Sequence, residues 1–516
     1  DKDAMLMPDK APRRHRRVFL LLGNQLFPVA RLRPWQGTLF FMAEDYATCQ
    51  YVQHHKHKLV FTLAAMRAHA DLLRSEGFRV EYTALGEAAN RLSFTEKLRQ
   101  LLSRTGFREL LHFEIEDPAM ERRVAAFAKR YGLRRTIVPT PMFLCTPEEF
   151  SDWTQGAKRP RMADFYRWQR RRLDILMDPS GRPEGGRWSF DKENRKALPP
   201  NVPVPGLPEV RHGRYVRQVV RLVDDMFPDH PGSTDEFWLP TTRAQARDWL
   251  KDFLEQRFSC FGDYEDALTT RSDAAFHSAL SPLMNVGLLT PREVVSRTLS
   301  FAIDERISLN SVEGFIRQVI GWREFVRGIY RTQGRAMARK NFWGHERGLT
   351  ADWYQGTTGI DPLDHVIRKV NRLGWAHHTE RLMVVGNLML LSEIEPHQGY
   401  RWFMESFVDS AHWVMTPNVY GMALFSDGGS FTTKPYICAS NYMLKMGDFR
   451  RGPWTDTVDG LFWRFVGRHR DWFSRQPRLA VIVSNLDRMP HDRRRRLAQA
   501  ADQFLREKTR PAKAVA

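Results

Sequence analysis

Two periods divide this chain, and a backbone segment can satisfy only one of them at a time. Between residues 17 and 140, short apolar runs read as strands: VFLLLGNQL, TLFFMAED at 38–45, RVEYTAL at 79–85, ELLHFEI at 109–115 and RTIVPT at 135–140. Between them, residues 58–76, 94–105 and 120–131 space their apolar residues as helices do. Strands alternating with helices specify a parallel sheet covered on both faces. From residue 237 the strand pattern stops, and helical periodicity runs through 242–257, 291–304, 312–333, 361–373, 378–394, 400–408, 457–473 and 488–508. The expected fold class is an α/β parallel-sheet domain at 17–145, an interdomain linker at 146–235 and an all-helical domain at 236–516. The linker is expected because PSGRPEGGRW and LPPNVPVPGLP offer little to bury.

Ligands of an open parallel sheet settle beyond the carboxyl ends of its strands, which puts Gly23, Asn24, Gln25, Glu44 and Asp45 on a candidate binding edge. GNQL makes an ordinary tight turn equally well. Lys and Arg outnumber Asp and Glu by 79 to 60, a formal net charge of +19. That excess favours a polyanionic partner such as nucleic acid, although basic proteins without that role exist. Cys49, Cys145, Cys260 and Cys438 stand about a hundred or more residues apart, which indicates neither a zinc ribbon nor a disulfide framework and fits a reduced, cytoplasmic setting. No apolar run has membrane-spanning length, and residues 1–17 are polar and basic without an apolar signal core.

Three stretches carry candidate chemistry. GWAHHTERLMVVGN at 374–387 sets His377 and His378 near the start of a helix with one apolar face, where a proton could be exchanged near neutral pH; helix caps are the plain alternative. FHSALSPLMNVGLLTP at 276–291 spaces Ser278, Ser281 and Asn285 by three and four, a pattern that suits an anion such as a diphosphate or simply caps a helix. FIRQVIGWREFVRGIY at 315–330 makes a basic and aromatic band of Arg317, Trp322, Arg323, Glu324 and Arg327, which would stack a base or form a salt-bridged helix.

Taken in order, FG-x-Y-x-DA, HS-x-LSP-x-x-N-x-GLL, RQ-x-x-GWREF-x-RG, TG-x-x-PL, GWAHH-x-x-RLM and PN-x-x-GMALF-x-DGG-x-x-x-x-KPY resemble the photolyase and cryptochrome superfamily. The resemblance is greatest to its prokaryotic (6-4) photolyase branch, the iron–sulfur bacterial cryptochromes and photolyases, and extends over about residues 17–472. It implies an antenna-binding α/β domain and a helical domain that holds flavin adenine dinucleotide (FAD). Tyr264, Ser278, Leu280, Ser281 and Asn285 would bind the phosphate and adenosine side. Gln318, Trp322, Arg323, His378, Arg381 and Asp409 would line the rest of the pocket. Met415 would face the reactive flavin nitrogen, three residues before Asn418. Glu324 would face a DNA lesion, His377 and His378 match the family's paired histidines that protonate the photoproduct, and Tyr436 would stand near flavin and DNA. Asn24, Gln25, Glu44 and Tyr51 are the antenna candidates, with a ribityllumazine as the chromophore. Trp402 matches the first electron relay and Tyr354 the outer one, with Phe403 in place of a redox-active tyrosine.

One departure is large. The branch holds an iron–sulfur cluster on four cysteines, and Pro362, Arg450, Pro453 and about Asp456 stand at the matching positions. None supplies a thiolate, so no cluster and no metal are expected. The resemblance implies a monomeric DNA photolyase acting on UV-damaged DNA, away from membranes, by light-driven electron transfer to (6-4) photoproducts. A cryptochrome-type light sensor, a cyclobutane-dimer photolyase and a flavin-free nucleic-acid binder are the alternatives.

Overall fold

The computed structural model describes residues 16–86, 92–155 and 159–511. Five parallel strands, β1 (Arg17–Leu20), β2 (Leu39–Ala43), β3 (Arg79–Thr83), β4 (Glu109–Phe113) and β5 (Arg134–Val138), lie in the order β3-β2-β1-β4-β5. β1 pairs with both β2 and β4, Val18 lying opposite Leu39 on one side and Leu110 on the other. Alternate side chains then serve two cores. Phe19, Phe40, Met42 and Leu111 pack with helix Lys56–Ser75 in the main core, whereas Val18, Leu20, Phe41 and Leu110 pack with Phe94, Leu98, Val124 and Phe127 from helices Phe94–Thr105 and Pro118–Arg130. Coverage on both faces is why these strands are continuously apolar rather than alternating.

The strand order reverses at β1 and β4, and the helical domain packs against the carboxyl ends of both. The Leu26 N–H donates to the Val286 carbonyl at 2.8 Å. Gly287 has φ +88°, and a Cβ there would lie 2.7 Å from the Phe27 ring, so this approach requires glycine. Arg327 reaches Glu116 just beyond β4 at 2.6 Å, with both side chains buried.

The segment that sequence assigns to a linker is partly helical. Met162–Leu173 packs Tyr166 against Gly321, and Arg214–Met226 lies on helix Lys56–Ser75. The helical domain also carries strand pairing that the sequence pattern does not announce: Arg347–Leu349 pairs antiparallel with Thr509–Pro511 after the C-terminal helix His491–Lys508. These strands are three residues each, too short for a period of two to register. Among the described residues no helix is long and apolar enough to cross a membrane.

Candidate functional site

Three helical segments among the described residues are π-helical: Arg317–Trp322, Glu380–Gly386 and Thr416–Ala423. Sequence reads the first two as parts of uninterrupted α-helices over 312–333 and 378–394. Each π-turn widens the helix and changes which side chains share a face, a device common at functional sites. All three border one cavity of about 920 Å³, at the upper end of the roughly 300–1,000 Å³ usual for ligand sites.

Its floor is a network around Asp409. Arg381 grips the carboxylate with two nitrogens, at 2.9 and 3.1 Å, while the Ser281 hydroxyl donates to it at 2.6 Å and the Asn285 amide donates to the Asp409 backbone carbonyl at 2.9 Å. Arg323 donates to the Asn285 side-chain oxygen and lies over the rings of Phe143 and Trp413. Its Nε has no protein partner, and burial lowers its pKa to about 10, so the guanidinium stays charged at neutral pH. A buried cation with a spare donor is what a phosphate-bearing or polar ligand would complete.

The histidines stand beside this network: Arg381 Nε donates to the Ala376 carbonyl at 2.7 Å and the Arg381 backbone N–H to the His377 carbonyl at 3.1 Å. His377 is buried and stacks on His277 with ring centres 4.5 Å apart and planes 8° from parallel. His378 exposes its side chain to the cavity yet lies deep within the molecule; that burial, then the charge of Arg381, lowers its pKa to about 4. Burial raises Glu265 to about 8 against the pull of Arg317, and the Glu265 carbonyl accepts from His277 Nε2 at 2.7 Å. Tyr436 and Lys434 also line the cavity, as do Trp188, Asp191 and Arg195.

Of the residues singled out in sequence, Ser278, Leu280, Ser281, Asn285, Gln318, Trp322, Arg323, His377, His378, Arg381, Asp409, Asn418 and Tyr436 share this cavity. Others lie elsewhere. Tyr264 packs on Phe276 outside the cavity lining, and Met415 is buried and likewise not part of that lining. Glu324, expected to face a lesion, turns away: its carboxylate accepts from the backbone N–H of Leu144 at 2.9 Å and of Cys145 at 3.0 Å, holding the start of the linker. One residue beyond Arg323, a helix has rotated by about 100°, and that rotation separates the two side chains. Glu44, an antenna candidate, is occupied by Arg67 at 2.6 and 2.9 Å, by Tyr82 and by the Leu85 N–H. Gln25 is likewise buried, donating to the Glu114 carbonyl and accepting from the Leu22 N–H. Asn24 is partly exposed, and Tyr51 is 51% exposed with its ring against His54 and His412.

Trp402 is buried and donates from Nε1 to the Trp353 carbonyl at 2.9 Å; Phe407 lies between it and Arg381, 5.8 Å from the Trp402 ring. Tyr354, next to Trp353, is 39% exposed. Trp375, Trp413 and His277 line the cavity as well, and sequence gave no role to His277, whose only signal is its place in the HS-x-LSP stretch. Trp188, Asp191 and Arg195 come from the Pro- and Gly-rich linker, where no periodicity could mark them.

A family model described as deoxyribodipyrimidine photo-lyase-related protein matches residues 19–239, and one described as the FAD binding domain of DNA photolyase matches residues 315–441. A (6-4) photolyase from Agrobacterium fabrum is 35% identical over 503 residues, covering 95% of this chain and 99% of its own. The chain belongs to the photolyase and cryptochrome superfamily. Solved structures in that superfamily share the fold: a bacterial class III photolyase from Agrobacterium tumefaciens has TM-score 0.57 and 16% identity, covering 98% of this chain and 100% of that one. A cryptochrome from Synechocystis has TM-score 0.55 and 15% identity, covering 95% and 98%. In this photolyase-family chain, the matched FAD-binding region supplies all three π-turns, and the Ser281 to Asn285 side of the cavity precedes it.

Proposed function

We propose that this protein is a DNA photolyase that repairs (6-4) pyrimidine–pyrimidone photoproducts with FAD held in the 920 Å³ cavity. The observation that carries the reading is that His377 and His378 line the same cavity as the Arg381–Asp409–Ser281 network, so that one cavity offers both a polar cofactor cradle and a proton-exchanging histidine. The residues present fit FAD: Arg323 retains an unpartnered Nε, and Ser278, Ser281 and Asn285 gather hydroxyl and amide groups where a diphosphate needs donors. When bound, FAD supplies light-excited electron donation to the lesion.

The chain's own residues do the rest. Arg381 and Asp409 hold the cradle in one geometry, and Trp322 and Trp413 present aromatic faces to the cavity. His378 is the proton-exchanging residue, and its position in the cavity gives it access to a base flipped out of the duplex. Tyr436, Lys434 and Arg195 are the lesion- and phosphate-side contacts; lysine and arginine hold phosphates without reading sequence. Trp402, with Tyr354 toward solvent, is the electron relay. Tyr264, Met415 and Glu324 support the site from outside the cavity lining. The linker at 146–235 and the helical domain at 236–516 are functional divisions of this reading. An antenna chromophore, a ribityllumazine, belongs with Asn24 and Tyr51, because Glu44 and Gln25 are spent on internal bonds. The protein works without an iron–sulfur cluster: Pro362, Arg450, Pro453 and Asp456 carry no thiolate, and its four cysteines are dispersed.

The deciding experiment illuminates purified holoprotein with duplexes carrying a single (6-4) photoproduct or a single cyclobutane dimer. Turnover of the (6-4) duplex supports the reading, and loss of that turnover in H378A with flavin absorbance retained supports the role of His378. Dimer turnover alone assigns the other lesion, while flavin photoreduction without any turnover assigns a light sensor.

A further inference from the structure

Behind His377 lies a buried ion pair that the repair chemistry described above does not use. Lys369, on helix Asp361–Leu373, donates to Glu380 Oε1 at 2.5 Å and to the Asp273 carbonyl at 3.0 Å. Both side chains of the Lys369–Glu380 pair are 2% exposed. Burying an ion pair strips water from two charges, and apolar residues of similar volume would pack there at no such cost. The pair therefore calls for a purpose other than stability, and the other oxygen of Glu380 points to one.

Glu380 Oε2 accepts from the His377 backbone N–H at 3.0 Å and lies 3.5 Å from His377 Nε2. That second approach is long for a hydrogen bond, but a carboxylate at this distance favours a proton on the facing nitrogen. Nδ1 is then the bare nitrogen of a neutral ring, and it is buried with no protein partner. The surroundings keep the ring neutral: burial first, then the charges of Lys369, His378 and Arg381, hold the His377 pKa well below its usual value, against the Ala267 carbonyl. His277, stacked on the other face, is also held neutral by burial.

We infer that Glu380, clamped by Lys369, is a positioning residue that locks His377 as the Nε2–H tautomer and leaves Nδ1 unprotonated. Its consequence for repair rests on the (6-4) reading proposed above; the tautomer does not.

The test measures the ring nitrogens by long-range proton–nitrogen NMR on holoprotein with labelled histidine, assigning His377 by the signal lost in H377Q. Wild type is expected to show protonated Nε2 and bare Nδ1. In E380Q, Lys369 still claims the amide oxygen and the amide NH2 faces the ring, so the population shifts toward Nδ1–H. K369M shifts it as well, because an unpaired Glu380 in a dry site takes up a proton, whereas K369R retains the wild-type tautomer. With (6-4) duplex, E380Q lowers kcat about tenfold or more and leaves KM nearly unchanged, as expected when a reacting contact is misplaced. Wild type carrying Nδ1–H, or an E380Q tautomer identical to wild type, overturns the inference. A lock present in a protein that repairs no (6-4) lesion overturns the repair reading and leaves the lock standing.

Discussion

Arg381 and Asp409 face each other across the floor of the cavity as a two-pronged ion pair, 2.9 and 3.1 Å, with the guanidinium also lying over the Phe407 ring at 4.0 Å. The two side chains are 15% and 5% exposed, so the pair is largely desolvated. D409N keeps the shape but removes the counter-charge, leaving a mostly buried guanidinium uncompensated. Breaking one partner of such a pair costs about 3 kcal/mol. The expected outcome is a lowered melting temperature and purification with much less flavin, read from the visible absorbance per protein. Full flavin content in D409N would show that the cradle does not depend on this pair.

The electron relay proposed above is tested by substitution. Phe407 lies between Arg381 and Trp402, and Trp402 is bonded to the Trp353 backbone, with Tyr354 at the surface. W402F is expected to slow flavin photoreduction at least about tenfold, equivalent to about 1.4 kcal/mol in barrier. Y354F should slow it less, since Trp353 remains beside it. If W375F or W413F has the large effect and W402F none, the route leaves the cavity through its own wall instead.

Much of the fold is legible in sequence because each strand run and each helical run obeys one period for long enough to be read. The cavity is less so. Ser281, Asn285 and Arg381 are visible as polar residues at regular spacing, yet the π-turns at Arg317–Trp322 and Glu380–Gly386 reset that spacing, and a 3.6-residue wheel cannot anticipate them. Glu324 shows the same failure in reverse: it shares a motif with Trp322 and Arg323 but points at the Leu144 and Cys145 amides, a tertiary partner about 180 residues away that local pattern does not encode. Glu44 and Gln25 stand just beyond strand ends, but Arg67 and the Glu114 carbonyl, both distant in sequence, already occupy them.

Acid should destabilise the protein through buried histidines. His55, His69 and His345 are 0%, 4% and 3% exposed, and burial lowers their pKa values to about 3, 4 and 3. In the unfolded chain these groups bind protons near their ordinary pKa of about 6.5, so the unfolded state holds more protons once the pH falls below that value. Stability is therefore complete above about pH 6.5 and declines toward the folded values. Between about pH 7 and pH 5 each contributes a loss of about 2 kcal/mol. His69 is the cleanest probe, since its Nε2 has no partner to lose. Urea unfolding at the two pH values should show H69L losing about 2 kcal/mol less than wild type. Equal losses would assign the acid sensitivity to other groups.

The joint between the two domains rests on Arg327 and Glu116, 2.6 Å apart and 3% and 4% exposed. Arg327 also donates to the Cys145 carbonyl, and Arg331 approaches Glu116 at 3.3 Å, so the carboxylate ties the end of β4 to the helical domain. E116Q removes the charge that justifies burying Arg327, and Glu114, at 3.8 Å and more exposed, offsets only part of it. A loss of about 3 kcal/mol is expected. R327M alone strands the carboxylate instead, with Arg331 as partial relief. The double variant E116Q/R327M leaves neither charge stranded and should recover at least about 1 kcal/mol of the summed losses, as interacting buried pairs do. Chemical denaturation of the four proteins gives the coupling directly. Simple additivity would mean that the domains are held by the apolar contacts around Phe27 and Gly287 rather than by this ion pair.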